Sequence, residues 1–482
     1  MEEVDIGIIA KKSIQGIFAL ISRTFFLNIL SYLASIIVFT ILTPKEVGVY
    51  VAVIAIQRLI SFVTDFGLGA AFVQKKDNVK QEDLTTIFTL QFFIALIVFV
   101  LVVVLRDIIS SYFALTESGT RLLIVLVFTI VLSSFKVIPS LLLERSINFS
   151  KLVIPQILES FIFNALLILL LLSRRGLDSY AFAFLISSIS SIPFYYFVFP
   201  WKIRFGINKE SLKHLKYGIQ FQAKNILATI KDDLLTVFLA KILTFSEIGY
   251  IGFGQRNAFF VFRYAVDSVT KVTFSTYSRI QHDMDLLRKA VEKSLFFVSA
   301  VMFPLMSGLI IIAPYFIQYF PKWHNKWEPA LLSLIFFSLN ALVSSLSGIL
   351  VTTLDSTGRI KTTLKLMTVW TTLTWILTPL FIIIVGYSGV AIASFFVTLT
   401  IFYTIYLVKK IVVFDFWRSI YKSLICSLIM DIFVFIGMRT FVNGLLSLIF
   451  VILLGGAVYI FSFYLFAKKE LKSDIRFVFA KA

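Results

Sequence analysis

Fourteen ionisable side chains sit inside apolar stretches of this 482-residue chain. A charge there costs roughly 3 kcal/mol unless a partner or a watery cavity receives it. The basic ones are Arg23, Arg58, Lys136, Lys224, Lys231, Arg256, Arg263 and Lys271; the acidic ones are Asp65, Glu159, Asp232, Asp233, Asp267 and Asp431. Helical spacing decides which of them share a face. Arg58 and Asp65 stand seven apart, Arg256, Arg263 and Asp267 seven and four apart, and Lys224, Lys231 and Asp232 fall along one side of a single stretch. Cations outnumber carboxylate partners, and arginine is not easily neutralised. An unpaired cationic lining calls for an anionic ligand, and the planar guanidinium fork suits phosphate or pyrophosphate oxygens. Arg23, Arg58, Lys136, Lys224, Arg256 and Arg263 are therefore the candidate ligand-binding residues. Asp65, Glu159, Asp232 and Asp267 are the candidate acids for a coupling ion, H+ or Na+. Internal salt bridges or snorkelling explain Lys271 and Asp431 better, and explain Lys231 with Asp233 equally well.

The elements that must position these residues follow from the apolar pattern. Hydrophobic residues make up 59% of the chain and come in long blocks. About 20 such residues cross the hydrocarbon core as a helix, which satisfies every backbone group internally. Barrel strands would alternate apolar and polar residues, and stretches such as 94–105 do not. The blocks fall near 14–42, 47–73, 84–105, 121–143, 152–172, 179–199, 217–241, 248–274, 294–318, 329–350, 365–386, 388–408, 418–440 and 443–466. They predict an all-α integral membrane protein of about 14 transmembrane helices. The first block follows Lys11 and Lys12 without a cleavage site and reads as an uncleaved span. Gly386-Tyr-Ser-Gly389 must turn the chain in little space. Pro139, Pro155, Pro304, Pro314 and Pro379 would bend their helices, and Trp323 and Trp327 are expected in an interfacial aromatic belt.

Orientation follows from the basic residues. With the N-terminus inside, 28 of the 45 Lys and Arg fall in cytoplasmic segments and 9 in extracytoplasmic ones, which places both termini in the cytoplasm. The net charge of +18 is thus a matter of topology and not the solvated patch of a nucleic-acid binder. A single cysteine, Cys426, rules out a disulfide framework, and three scattered histidines, His214, His282 and His324, offer no metal site. No G-x-x-x-x-G-K-[ST] occurs. No cofactor is expected.

Two turns are alike. Leu42-Thr43-Pro44-Lys45-Glu46-Val47-Gly48 and Leu243-Thr244-Phe245-Ser246-Glu247-Ile248-Gly249 share L-T-x-x-E-[VI]-G at an offset of 201 residues. The same offset pairs Arg23 with Lys224, and small slips pair Gln57-Arg58 with Gln255-Arg256 and Asp65 with Asp267. Six spans separate the copies, so duplicated halves would run the same way through the bilayer, as parallel repeats. The expected organisation is an N-lobe of spans 1–6 (1–216), a C-lobe of spans 7–12 (217–410), and two accessory spans with a cytoplasmic tail (411–482). Lys209, Lys213 and Lys216 in the junction fall on one helical face, which suits either an interfacial helix against anionic headgroups or an ordinary basic loop.

LTPKEVGVYVAVIAIQRLISFVTDFGLGAAFVQKKD, from Leu42 to Asp77, resembles the second-span signature of the polysaccharide transporter family. These are the Wzx-type oligosaccharide flippases of the MOP (multidrug/oligosaccharidyl-lipid/polysaccharide) superfamily. LLLERSINFSKLVIPQILES, EIGYIGFGQRN and PLMSGLIIIAPYFIQYF resemble further parts of it, so the resemblance runs from about residue 10 to 410. It implies two six-helix lobes in a V that opens alternately to either side, with extra C-terminal helices. It implies a cargo of undecaprenyl-pyrophosphate-linked oligosaccharide repeat units, moved from the cytoplasmic to the outer leaflet of a bacterial inner membrane for O-antigen, capsule or exopolysaccharide assembly. Membrane lipids and a glycan polymerisation machinery would be its partners. It also implies that inward cations of both lobes, here Arg23, Arg58, Lys224, Arg256 and Arg263, hold the phosphates. A peptidoglycan-precursor flippase shares that cargo chemistry. A cation-coupled multidrug exporter would favour an acidic interior. A membrane polymerase or glycosyltransferase would need a larger external loop than 106–121, whose only acids are Asp107 and Glu117. No enzymatic activity is expected.

Overall fold

The computed structural model describes residues 25–64, 80–146, 148–208, 226–227 and 229–479. Arg23, Asp65, Lys224 and the junction lysines Lys209, Lys213 and Lys216 lie outside these, as do the side chains of Asp267 and Lys271. Each expected apolar block holds a described helix. In chain order these are α1 (Phe25–Ile41), α2 (Pro44–Thr64), α3 (Gln81–Val104), a short α4 (Arg106–Phe113), α5 (Glu117–Arg145), α6 (Phe149–Leu172) and α7 (Asp178–Val198). There follow α8 (Leu235–Ile242), which continues a π-helical turn at Ile230–Leu234, then α9 (Phe245–Ile280), α10 (Met284–Tyr319) and α11 (Leu331–Ser356). The chain closes with α12 (Ile360–Val385), α13 (Gly389–Thr398), α14 (Ile401–Lys409), α15 (Phe416–Thr440) and α16 (Leu445–Phe479).

Among the described residues nine helical stretches are long and apolar enough to cross a membrane. One of them, Ile360–Lys409, has 50 residues and would measure about 75 Å if straight, more than twice the hydrocarbon core. It folds back at the 3₁₀ turn Gly386–Ser388. Gly386 adopts a φ of 73°, and a Cβ on Gly389 would strike the backbone of Phe381, so both ends of the G-Y-S-G turn require glycine. Large apolar side chains such as Phe197, Ile383 and Leu446 stand almost fully exposed, a cost that lipid removes and water would not. This is a multi-pass helical membrane protein.

The chain divides into two compact units, Met1–Gly249 and Tyr250–Ala482. In the first, α5 packs against α2, α3 and α7. Phe88, Ile138, Leu141 and Trp201 form a core there. Residues after α7 lie across α3, where the Gly206 amide donates to Thr89 Oγ1 (3.0 Å) and the Asn208 amide to Thr86 Oγ1 (2.9 Å). Arg121 at the start of α5 is tied to Asp178 at the start of α7 (2.9 Å).

In the second unit α10 packs on α11 and on α15. Pro304 inside α10 has no amide to offer the carbonyl of Ala300. The Tyr459 hydroxyl of α16 donates to that carbonyl instead (2.6 Å). Ser299 reaches Ser423 (3.1 Å), and Ser307 donates to Asp431 (2.9 Å). Asp431 therefore does not snorkel; it faces a hydroxyl of α10. The two tryptophans expected in an interfacial belt are buried: Phe253 stacks on Trp327 (4.6 Å) and meets Trp323 edge-on (5.2 Å). An indole at the end of a span suits a belt or a core equally by composition, and here the neighbouring aromatics decide for the core.

Candidate functional site

The two like turns fix where the charged helices begin. In the first, the amide and hydroxyl of Thr43 both donate to Glu46 Oε2 (2.8 Å each), and the Glu46 amide donates back to Thr43 Oγ1 (3.3 Å). In the second, Thr244 donates twice to Glu247 Oε2 (2.8 Å each), and the Glu247 amide returns a bond to Thr244 Oγ1 (3.4 Å). Both are reciprocal capping boxes, which is why threonine and glutamate recur three apart. The glycine of the motif has a second role. A Cβ on Gly48 would lie 1.6 Å from the Phe245 carbonyl oxygen, and one on Gly249 would lie 1.9 Å from the Pro44 carbonyl oxygen. Each turn abuts the other backbone to backbone, inside a cluster of Ala52, Ala240 and Ile248.

Further along α2, Arg58 is 62% exposed and its Nη1 lies 3.5 Å from Asp233 Oδ1, which is 20% exposed. One nitrogen of the fork is thus engaged by a carboxylate at moderate distance. Asp233 belongs to the π-helical turn, where Lys231 pairs with Asp232 (3.3 Å) and not with Asp233. A π turn advances each residue by a smaller angle than an α-helix does, so projection at 3.6 residues per turn misplaces the side chains after it. Spacing at 3.6 residues per turn set Asp232 on the stripe with Lys231 and did not set Asp233 opposite Arg58.

Among the described residues, Lys136 of α5 and Glu159 of α6 form a close interior ion pair, 2.6 Å apart and only 11% and 28% exposed. The sequence offered Lys136 as a ligand-binding cation and Glu159 as a coupling acid; the structure brings the two together. Glu159 also lines a cavity of about 250 Å³ between α6 and α7, with Gln156, Ser160, Phe163, Phe184, Ser187 and Ser188. In the second unit, Arg256 is half-buried on α9 and Arg263 is exposed. Among the described residues no three His, Cys, Asp or Glu side chains are grouped to hold a metal ion. Among the described residues the arrangement holds exposed or half-buried cations on α2 and α9 and a polar cavity between α6 and α7.

The described helices, with charged residues held inside apolar stretches, make a multi-pass membrane fold, and comparison with known proteins agrees on that fold. The lipid II flippase MurJ in its inward closed conformation superposes with a TM-score of 0.77 at 19% identity, over 94% of this chain and 99% of that one. An inward-facing multidrug resistance transporter of the MATE family, in the MOP superfamily, gives 0.60 at 14% identity over 82% and 98%. The polysaccharide biosynthesis protein family matches residues 37–332, and the chain belongs to that family, as the second-span signature implied. An uncharacterized membrane protein in the cps region of Klebsiella pneumoniae is 26% identical over 316 residues, 62% of either chain. The lipopolysaccharide biosynthesis protein WzxC of Escherichia coli K12 is 23% identical over 298 residues, 59% of this chain and 58% of its own. The chain spans about three fifths of the length of these curated relatives.

Proposed function

We propose that this protein is a flippase that carries undecaprenyl-pyrophosphate-linked oligosaccharide repeat units from the cytoplasmic to the outer leaflet of a bacterial inner membrane, both termini being cytoplasmic. The family match over residues 37–332 carries this function, and the flippase-like fold over 94% of the chain supports it. Cations of an N-lobe and a C-lobe would receive the pyrophosphate: Arg58, whose fork is only partly engaged by Asp233, together with Arg256 and Arg263. A pyrophosphate leaves water only where comparable charge-assisted bonds replace its hydration. The prenyl tail would stay in lipid while the lobes open alternately to either side. No bond is made or broken, so the protein acts as a carrier and not as an enzyme. Glu159, Asp232, Asp65 and Asp267 remain the proposed acids for coupling to H+ or Na+.

The test is transport in proteoliposomes loaded with the glycan-linked lipid in one leaflet, read by lectin access to the other. Arg58→Ala and Arg263→Ala should each slow the appearance of glycan at least about tenfold, the loss of one charge-assisted bond. Wild-type rates in both variants would remove these arginines from the site. The likeness to a lipid II flippase favours a peptidoglycan precursor as the second reading. Transport of lipid II without transport of the oligosaccharide-linked lipid would establish it.

A further inference from the structure

We infer that Asp431 is the anionic part of a binding site for a monovalent cation, H+ or Na+, between α10 and the accessory helix α15. The site stands whatever the cargo is. Ion pairing sets Asp431 apart from the other acids of the apolar stretches. Among the described side chains Glu159 meets Lys136 (2.6 Å), Asp232 meets Lys231 (3.3 Å) and Asp233 meets Arg58 (3.5 Å). Asp431 meets a hydroxyl and no base: Ser307 Oγ of α10 lies 2.9 Å from its Oδ1. Ser427, one turn before Asp431 on α15, has its Oγ 3.3 Å from the same Ser307 Oγ.

The helices packed around it do not supply the missing charge. Nine residues, about 13 Å of helix, separate Asp431 from the end of α15, too far for its short side chain to reach the headgroups. On α15 itself, Arg439 lies over the Phe435 ring at 4.5 Å and Lys422 is nine residues back. On α10 the charged residues end at Lys293, fourteen before Ser307, and on α11 only Asp355, near its end, is charged. Lys468 of α16 lies over Tyr464, thirteen residues beyond the Gly455 that stands against Met430 and Val434. Tyr459 donates to Ala300 and Tyr319 to Val442, while Tyr315 and Cys426 bring no positive charge. A lone carboxylate at this depth is expensive.

The hydroxyls do not make up the difference. Ser307 has one proton, and the Phe303 carbonyl at 2.8 Å competes with Asp431 for it. A carboxylate can accept about four hydrogen bonds, and this one is offered a share of one. A proton on the carboxyl removes the charge and lets Asp431 donate to Ser307 Oγ, which frees that serine to donate to Phe303. A sodium ion removes the charge through the carboxylate and the two hydroxyl oxygens, a hard oxygen set without nitrogen or sulfur. One carboxylate balances one positive charge, which excludes a divalent ion. Asp431 and Ser307 are half-buried, so a small ion can reach them.

The test uses the purified full-length protein in detergent at neutral pH, in KCl and in NaCl of equal concentration. A site that takes Na+ raises the thermal midpoint in NaCl by at least about 2 °C. A site that takes H+ reveals itself to dicyclohexylcarbodiimide, which attacks the protonated carboxyl. In KCl the peptide carrying Asp431 should then acquire the label, with the exposed Asp285 as the unlabelled control. Suppression of the label by Na+, at least about tenfold, assigns the site to both ions, and an unchanged label assigns it to H+ alone. Asp431→Asn imitates the neutralised site, so it should fold and lose both responses. An unlabelled Asp431 together with equal midpoints in the two salts would overturn the site, as would a sodium response that persists in Asp431→Asn. Neither readout involves cargo, so this result and the transport result stand or fall separately.

Discussion

Removing Lys136 should destabilise the protein far more than removing Lys136 and Glu159 together. At 2.6 Å and an effective dielectric near 20, the attraction between the two charges is about 6 kcal/mol. Withdrawing two ions from water offsets most of it, at several kcal/mol per ion. The net worth of the pair is therefore small, but either charge left alone keeps its desolvation cost. Breaking a buried pair by deleting one partner costs about 3–5 kcal/mol, and the exposure of Glu159 toward its cavity trims this to about 2–4 kcal/mol. Lys136→Met and Glu159→Gln should each lower the unfolding free energy by that amount, and the double variant should fall within about 1 kcal/mol of wild type. The assay is reversible unfolding by SDS in mixed micelles, followed by circular dichroism, as a double-mutant cycle. Arg58→Met and Asp233→Asn provide the contrast. Their pair is longer, 3.5 Å, and Arg58 is 62% exposed, so their coupling should stay at or below about 1 kcal/mol. Additive losses at Lys136 and Glu159, or single losses under about 1 kcal/mol, would refute a low-dielectric site and show that water reaches both groups freely.

Three further outcomes follow from particular contacts. Gly48→Ala places a methyl against the Phe245 carbonyl and should cost at least about 3 kcal/mol, read as loss of folded protein in membranes, whereas Gly456→Ala on α16 meets nothing within 4 Å and should stabilise by about 0.5–1 kcal/mol. Glu46→Ala and Glu247→Ala each dismantle one capping box and should each cost about 1 kcal/mol in the same SDS titration, the similarity of the two values being the point of the comparison. Tyr459→Phe keeps the ring and leaves the Ala300 carbonyl beside Pro304 without its donor, so unfolding should begin at lower SDS by the equivalent of about 1–3 kcal/mol.

How much was legible in the sequence depended on how local the chemistry is. The helices were legible because each needs only its own run of apolar residues, and Gly386 marked the sharp return because that turn demands a positive φ. The capping boxes were legible because Thr43 and Glu46, like Thr244 and Glu247, are three residues apart and act within one turn. Partnerships between helices were not. Lys136 and Glu159 are 23 residues apart on separate helices, and only the packing of α5 on α6 shows that a candidate cation and a candidate acid are one pair. The Arg58–Asp233 pair was not legible because a π turn breaks the angular rule used to sort side chains into faces. The tryptophans near Lys322 were expected to face an interface and are instead packed in the protein, because composition does not distinguish a ring at the lipid boundary from one under Phe253. The cavity beside Glu159 was not legible either, because Ser187 and Ser188 come to face Gln156 and Glu159 only through the packing of α7 on α6.

The touching glycines bind the fates of two distant codons. Gly48 gives way to a carbonyl of the second turn and Gly249 to a carbonyl of the first, so a larger residue in either copy injures both. Two halves related by duplication would ordinarily be free to drift apart, each accepting changes that its own surroundings tolerate. At this joint neither turn has private surroundings, since each is the wall of the other. A methyl group at either glycine therefore asks both turns to move.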